Sequence, residues 1–370
     1  MTSGPLVVAR LGVAVVAIVL MLVVLGDVFE TIVLPRRASN RVRTTTLVYR
    51  LPRAPWAGVA RRLPPGNPRE DFLGYYGPMA VLFLLIVWAI LLVVGYAGLQ
   101  WAAGSQLSVL PGPAGLADDL YFSATTFFTL GLGDVFPRSG LARIITAVEV
   151  ANGFGLIALV IGYMPSLYQS FSRREMNIAL LDARAGSPPS AVELLRRHAS
   201  RQPDDELMNF LRDWERWSAD ILESHISYPW LCHFRSQHDN QSWVSALAAV
   251  LDACALILAG IDGAHRSQAR LTFAMARHAA VDLSQVLRTR SVPVPERLTP
   301  ERLERVAADL AEAGIPLRPI DVLAAGLAEQ RPLYEPYVAA LSEHLLMPLP
   351  EWLPAEQSRD DWETSASRHN

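Results

Sequence analysis

Three long apolar stretches occupy the first half of the sequence. They cover residues 6–34, 77–101 and 140–163, and each has few or no charges in its central part. About 20 apolar residues are enough for an α-helix to cross the hydrocarbon core of a bilayer. The pattern therefore predicts three membrane-spanning helices, the third of which ends at Met164-Pro165. A secretory signal is the competing interpretation of residues 6–34, but no small-residue cleavage site follows that stretch.

The second half of the sequence alternates amphipathic stretches with proline and glycine breaks. In residues 204–225, apolar side chains recur at spacings of three and four, which is typical of a helix with one buried face. Residues 241–259 are apolar enough to resemble a fourth span, but Asp252 and the polar flanks favour a buried core helix. We expect an α-helical cytoplasmic domain over residues 171–355, followed by a disordered tail over 356–370.

A short, more polar segment separates the second and third spans. Residues 118–137 are too short and too polar to cross a bilayer, and their centre is Thr-Leu-Gly-Leu-Gly-Asp over residues 129–134. Glycines at alternate positions allow successive carbonyls to point the same way, because residues with a Cβ resist that backbone conformation. A ring of such carbonyls can replace the hydration shell of a cation. Non-helical backbone at membrane depth is tolerated where it is buried in protein or lines a watery cavity.

The motif at residues 129–134 resembles the Thr-Val-Gly-Tyr-Gly-Asp selectivity filter of potassium channels, and residues 120–126 resemble their pore helix. The resemblance covers residues 76–167. It implies an all-α membrane protein with three transmembrane helices, a re-entrant pore helix, and a homotetramer whose four loops line one pore. The filter residues that it implies are Thr129, Leu130, Gly131, Leu132, Gly133 and Asp134. The carbonyls of the first four, with the hydroxyl of the first, would coordinate the permeant potassium ion.

Two positions depart from the pattern of that family. Leu132 stands where the usual residue is Tyr or Phe, and Phe128 stands where many members have a second Thr. Potassium selectivity and weak selectivity among monovalent cations therefore both remain open. The long soluble half leaves a third possibility, which is a membrane-anchored sensor or scaffold whose pore no longer conducts.

Several residues near the motif are candidates to support the filter. By resemblance, Tyr121 and Phe122 hold the positions of aromatic rings that pack around it. Glu149 lies within the third span, where an acid needs a partner or water, and we expect it to hydrogen bond Thr125 or Thr126 of the pore helix. Direct attraction of cations is the alternative role for Glu149.

A glycine lies near the middle of the third span. Gly153 follows Glu149 by one helical turn, at a distance from the filter where the family also has a glycine. A mid-helix glycine costs about 1 kcal/mol relative to alanine, so its presence indicates a bend or a close helix contact. We expect a gating hinge at Gly153, with close packing as the alternative.

Charge is unevenly distributed, although the net charge is only −3. Residues 35–75 contain nine arginines against Glu70 and Asp71. Arginine-rich short loops beside spans stay in the cytoplasm, and these arginines could also bind anionic lipid headgroups. Nucleic-acid binding is disfavoured because proximity to the membrane already accounts for the charge. The expected protein is a multi-pass protein of the plasma membrane, with its N-terminus outside and its C-terminal domain in the cytoplasm.

An acidic pair lies at the end of the first span. Asp27 and Glu30 are three residues apart and share a helix face. Ionisable residues in a span are functional candidates, but we favour a solvated helix end. The expected organisation is an N-terminal transmembrane helix (1–34), an Arg-rich cytoplasmic linker (35–75), and a pore module (76–170) before the soluble domain.

Candidate chemistry is sparse in the soluble half. Hydrophobic residues make up 51% of the 370 residues, which suits a membrane part joined to a soluble part. Cys232 and Cys254 are predicted to be reduced core thiols. One group of side chains could be pictured as metal ligands, but its spacing matches no helix-face pair: His225, His233, His238 and Asp239. No nucleophile–base set stands out, so we expect neither an enzyme nor a cofactor other than permeant potassium.

Overall fold

The chain is mostly helical, as expected for an all-α membrane protein. The computed structural model describes residues 4–34, 45, 52–64, 66–109, 114–199, 205–237, 240–263 and 265–353. The predicted tail at 356–370, most of residues 35–51, His238 and Asp239 lie outside the described residues.

The first half of the chain contains the long apolar helices. Its helices are α1 (Gly4–Val28), α2 (Arg53–Ala60), α3 (Asn67–Gly74), α4 (Tyr76–Ala102), α5 (Leu116–Phe127) and α6 (Gly140–Ala185). A π-helical turn, Phe29–Val33, follows α1. Two short strands, β1 (Leu107–Ser108) and β2 (Phe136–Pro137), pair antiparallel with Leu107 opposite Pro137.

The second half consists of shorter helices joined by brief connections. These helices are α7 (Ala191–Ala199), α8 (Asp205–Ser227), α9 (Trp243–Gly260), α10 (His265–Val286), α11 (Pro300–Glu312), α12 (Ile320–Gln330) and α13 (Glu335–Leu345). Short 3-10 turns lie at Pro229–His233 and Arg331–Leu333. Helix α10 packs against α8, α9 and α13, and α9 also packs against α12.

The chain divides into two compact units. One comprises Met1–Trp56 and Pro78–Tyr168, and the other comprises Ala57–Gly77 and Gln169–Asn370. The second unit therefore includes a stretch of the Arg-rich linker as well as the C-terminal helices.

Helix α1 packs antiparallel against α4 within the first unit. A Cβ added at Gly95 would lie 2.7 Å from the Cγ of Met21, and one added at Gly98 would lie 3.4 Å from the Cβ of Ala17. Small residues allow such close approach, which is how helices associate in lipid, where no hydrophobic driving force acts between them. The two glycines of α4 therefore form the surface on which the N-terminal helix α1 packs.

Among the residues that the structure describes, four helical segments are long and apolar enough to cross a membrane. Three of them contain the predicted spans: Gly4–Val33, Pro68–Ala102 and Gly140–Ala185. The fourth is α9, whose most apolar window is 94% buried, against 11% for the window in Gly4–Val33. Burial by protein on all sides favours the interpretation of α9 as a core helix of the second unit.

The single acid of α9 is neutralised inside that core. Arg297 donates to the two carboxylate oxygens of Asp252 at 2.7 and 3.0 Å, and the Tyr334 hydroxyl donates at 2.5 Å. Burial alone would lower the pKa of Arg297, but the adjacent carboxylates of Asp252 and Glu335 raise it above its ordinary value. A buried charge needs such a partner, so Asp252 fits a soluble core rather than contact with lipid.

The prediction that the third of these helices ends at Met164-Pro165 is wrong. Helix α6 continues through Pro165 to Ala185 and is 46 residues long. A proline removes one helical donor and can kink a helix without ending it. Next to it, the Ser166 hydroxyl donates to the carbonyl of Gly162 at 3.2 Å. The expected domain boundary at residues 170/171 thus falls inside a continuous helix.

Candidate functional site

Helix α5 begins with acidic residues that accept hydrogen bonds around its first turn. The Asp118 carboxylate accepts from the Gly115 amide at 2.8 Å, and the Ser105 hydroxyl donates to Asp119 at 2.5 Å. Acids at a helix N-terminus satisfy free amides and interact favourably with the helix dipole. These contacts hold the start of α5 against the loop that follows α4.

One face of α5 is buried in the first unit. The buried positions recur at spacings of three and four: Asp119, Phe122, Ser123, Thr126 and Phe127. Tyr121 is 40% exposed on another face. The hydroxyl of Thr125 donates back to the carbonyl of Phe122 at 3.0 Å. Of the predicted support residues on α5, Phe122 and Thr126 are therefore buried, whereas Tyr121 and Thr125 lie outside the buried face.

The backbone after α5 alternates in hand. Thr129, Gly131 and Gly133 have positive φ angles of 57°, 54° and 81°, whereas Leu130 and Leu132 between them do not. Residues of alternating hand direct successive peptide groups toward one side. A non-glycine residue at positive φ is uncommon, so the conformation at Thr129 is held by its surroundings.

The amides of this segment are bound by the end of α5. Thr129 N donates to Thr126 O at 2.9 Å, and the amides of Leu130 and Gly131 donate to Thr125 O at 2.8 and 3.3 Å. These bonds satisfy carbonyls that a helix C-terminus leaves free. Within the part of the chain that the structure describes, the carbonyls of residues 129–132 accept no hydrogen bond. Four successive oxygens are therefore available to a ligand.

The far end of the segment is tethered back to α5. The Tyr121 hydroxyl donates to the Asp134 carboxylate at 2.8 Å. Beyond it, β2 pairs with β1, and the Arg138 guanidinium donates to the Ser108 hydroxyl at 2.8 Å. Leu132 has no hydroxyl that could tether the segment, and the hydroxyl tether comes instead from Tyr121 of α5.

Glu149 is buried beside α5, but its partner is not the predicted one. The Ser123 hydroxyl lies within hydrogen-bond distance of the Glu149 carboxyl and 2.8 Å from the carbonyl of Val93, rather than Thr125 or Thr126 contacting Glu149. Glu149 is fully buried. Our sequence reasoning missed Ser123, although helical spacing from Asp119 would have placed it on the buried face.

Gly153 touches the end of α5 one turn further along α6. A Cβ added at Gly153 would lie 2.0 Å from the carbonyl oxygen of Phe127 and 2.9 Å from its carbonyl carbon. Both are backbone atoms, so no side-chain rotation could relieve the overlap. This contact favours the close-packing alternative, and the gating hinge at Gly153 stays a prediction.

The sequence of α4, α5, the following loop and the first part of α6 was compared with known protein families. Residues 79–170 match the family described as "Ion channel". The matched range contains the filter motif, all of α5 and the first part of α6, so the resemblance predicted for residues 76–167 is confirmed at the level of the family.

A similarity to a second sequence extends beyond residues 79–170. An "Uncharacterized membrane protein YdjJ" of Bacillus subtilis (strain 168) is 22% identical over 246 residues, which cover 66% of this chain and 70% of the relative. That alignment is longer than the range 79–170, so the similarity includes sequence outside this range. No solved structure matches the chain.

The buried Ser123 hydroxyl beside Glu149 gives a testable prediction about stability. Replacing Ser123 with alanine removes the donor shared by the Val93 carbonyl and the Glu149 carboxyl. We expect the free energy of unfolding to fall by about 1–3 kcal/mol per chain, the usual cost of an unsatisfied buried polar group. Thermal unfolding of purified protein in detergent measures the change. Ser166→Ala removes an exposed hydroxyl of α6, the helix that contains Glu149, and serves as the control; equal melting of the two variants would contradict the prediction.

The interpretation of Asp27 as a solvated helix end is wrong. Asp27 is only 4% exposed. Its carboxylate accepts from the Trp88 indole at 3.0 Å and from the amide and hydroxyl of Thr45 at 2.8 and 2.7 Å. Glu30, within the π-helical turn, is half-buried. Asp27 therefore links α1 to the middle of α4, outside the filter.

The histidines considered as metal ligands lie in separate contacts. The His225 ring nitrogen Nε2 is 3.3 Å from Arg174, and burial followed by the Arg174 charge lowers the pKa of His225 well below its ordinary value. The His233 ring lies 5.2 Å from that of Tyr76. Cys232 and Cys254 are buried and unpaired with each other, and burial raises both thiol pKa values.

Proposed function

We propose that this protein is a homotetrameric potassium channel of the cell membrane. Four copies of residues 129–134 would line one axis, and potassium would pass along the carbonyl oxygens of Thr129, Leu130, Gly131 and Leu132. Conduction of this kind exchanges water for carbonyl oxygens and needs no prosthetic group. The ion channel family match over residues 79–170 supports the class of function.

The observation that carries the proposal is the alternating hand of residues 129–133, combined with their unoccupied carbonyl oxygens. Nothing lies within 4 Å of a Cβ built on Gly131 or Gly133. The side chains of Leu130 and Leu132 are each 61% exposed in the single chain. Such a segment is suited to a place on a symmetry axis, where neighbouring copies would cover the leucines and complete the rings of oxygens.

The topology of the proposal follows from charge and burial. Helices α1, α4 and the first part of α6 would span the membrane, α5 would be re-entrant, and α9 would remain in the soluble core. The N-terminus would lie outside and the helical domain in the cytoplasm, because arginines flank the inner ends of the spans. Exposed arginines of the linker, such as Arg61 and Arg62, could bind anionic lipid.

A flux assay on purified protein tests the proposal. Liposomes loaded with KCl are diluted into NaCl with a protonophore and a pH-sensitive dye. A potassium-selective channel makes the interior negative and draws protons in, so the dye signal falls. The assay is repeated with RbCl inside the liposomes, and then with NaCl inside and KCl outside. The three signals rank the permeability to the three cations.

The alternatives give different results in the same assay. Equal permeability to sodium and potassium produces no potential and would replace the proposal by a weakly selective channel, which the absence of a ring at Leu132 would then explain. No flux from assembled tetramers would favour a membrane-anchored sensor or scaffold.

A further inference from the structure

Residues Tyr228–Ser236, which we term the corner segment, are anchored in the core of the second unit. Trp230, Leu231 and Cys232 are buried. The Trp243 indole of α9 donates to the carbonyl of Cys232 at 3.2 Å. The corner segment is therefore bound directly to the core helix α9.

The corner segment binds the C-terminal part of α6 through Arg174. The Arg174 side chain has no exposed surface. Its guanidinium donates to the carbonyls of Leu231 and Phe234, both at 2.8 Å, and it lies 5.1 Å from the centre of the Phe171 ring. A buried cation stripped of these partners would be costly. The contact between α6 and the corner segment is thus a firm one.

The same corner segment also contacts the start of α4. The rings of His233 and Tyr76 are 5.2 Å apart. A Cβ added at Gly77 would lie 2.7 Å from the Phe234 ring. Arg235 pairs with Glu70 of α3 at 3.3 Å. Tyr76 and Gly77 are the first residues of the helix that continues to Ala102.

Phe234 stands between the two helices. Its ring faces Gly77 of α4, and its ring centre is 5.7 Å from that of Phe171 of α6. Its carbonyl binds Arg174. One residue of the soluble core therefore contacts both helices that flank the filter loop.

We propose that the corner segment couples the helical domain to the pore, so that a displacement of α9 moves α4 and α6 together and changes the probability that the channel is open. This inference rests on the proposed function for its effect on conduction. The coupling itself rests on the contacts of Arg174, Phe234 and Gly77, all within the second unit. Whatever stimulus the helical domain responds to would reach the filter loop through this segment.

The test replaces Phe234 with leucine in the full-length protein. Single-channel recording in planar bilayers gives the open probability, and we expect it to change by about 2- to 30-fold, the range found for mutations that alter coupling between sites. Unitary current and reversal potential should stay the same, because the filter is untouched. Phe273→Leu is the matched control, since Phe273 is a buried ring of the same domain that packs on Tyr334 instead.

Hydrogen exchange provides a readout that does not depend on conduction. Phe234→Leu should raise exchange in the first turn of α4 and in residues 169–185 of α6 together, whereas Phe273→Leu should not. Faster exchange in one helix alone, or in neither, would overturn the coupling. A silent wild type with coupled exchange would instead count against the proposed function and leave the coupling supported.

A second variant keeps the test decisive if Phe234→Leu does not fold. Gly77→Ala leaves the corner segment intact and adds a Cβ against the Phe234 ring. We expect it to shift the open probability and to change exchange in the first turn of α4 and in residues 169–185 together; unchanged exchange in either helix would overturn the coupling. When Phe234→Leu does fold, the double variant should return toward the wild type, and additive effects would show that the two residues are not coupled.

Discussion

We expect Gly131→Asp to abolish the proposed potassium flux while the proposed tetramer still assembles normally. Gly131 has a φ of 54° and open space where its side chain would lie. In the proposed tetramer, four added carboxylates would occupy the axis and disturb the ring of carbonyls. Potassium flux should be lost, because an ion would no longer meet an intact ring of carbonyl oxygens to replace its hydration shell.

The liposome assay measures this change, and Gly140→Asp is its control. Gly140 also has nothing near a built Cβ, but it begins α6, where an acid suits the helix dipole. Flux should survive in the control. Undiminished flux through Gly131→Asp tetramers would show that ions take another route.

Gly153→Ala should prevent the native packing of α6 on α5. The added methyl group would lie 2.0 Å from the Phe127 carbonyl oxygen and 3.2 Å from the Phe127 Cα. Overpacking of this kind costs about 1–3 kcal/mol, and sometimes more. Phe127 lies two residues before Thr129, whose amide donates to the carbonyl of Thr126, so a displacement of Phe127 by α6 would also displace residues 129–131. We expect a lower melting temperature and a loss of most potassium flux.

Gly155→Ala is the matched control for that substitution. Gly155 lies on the same helix with nothing near its built Cβ, so alanine there should stabilise α6 by about 1 kcal/mol through helix propensity. A pure hinge role would predict intact assembly with altered gating for Gly153→Ala. Unchanged melting of that variant would therefore favour the hinge over the close contact.

The sequence predicted the features that depend on neighbouring residues. Long apolar stretches indicated the long apolar helices. The alternate glycines indicated a backbone conformation that residues with a Cβ resist, and Gly131 and Gly133 do have positive φ angles. A local rule also produced the error at Pro165, because a proline was taken as a helix end when α6 continues through it.

Contacts between distant residues could not be predicted in the same way. The partners of Glu149, Asp27 and Arg174 lie 26, 61 and 57 residues away along the chain. No spacing rule relates such positions until the helices are packed. The nearest usable signal in the sequence was the helical spacing of residues 116–127, which places Ser123 on the same face as Asp119 and Thr125 on another face.

The unbroken course of α6 has a geometric consequence. At 1.5 Å per residue its 46 residues extend about 69 Å, more than twice the roughly 30 Å of hydrocarbon that a span must cross. Every residue is separated from the next by about 100° around the axis. Adding or deleting one amino acid between Phe171 and Arg174 would therefore rotate one relative to the other by that angle, and the two side chains could no longer both contact Phe234.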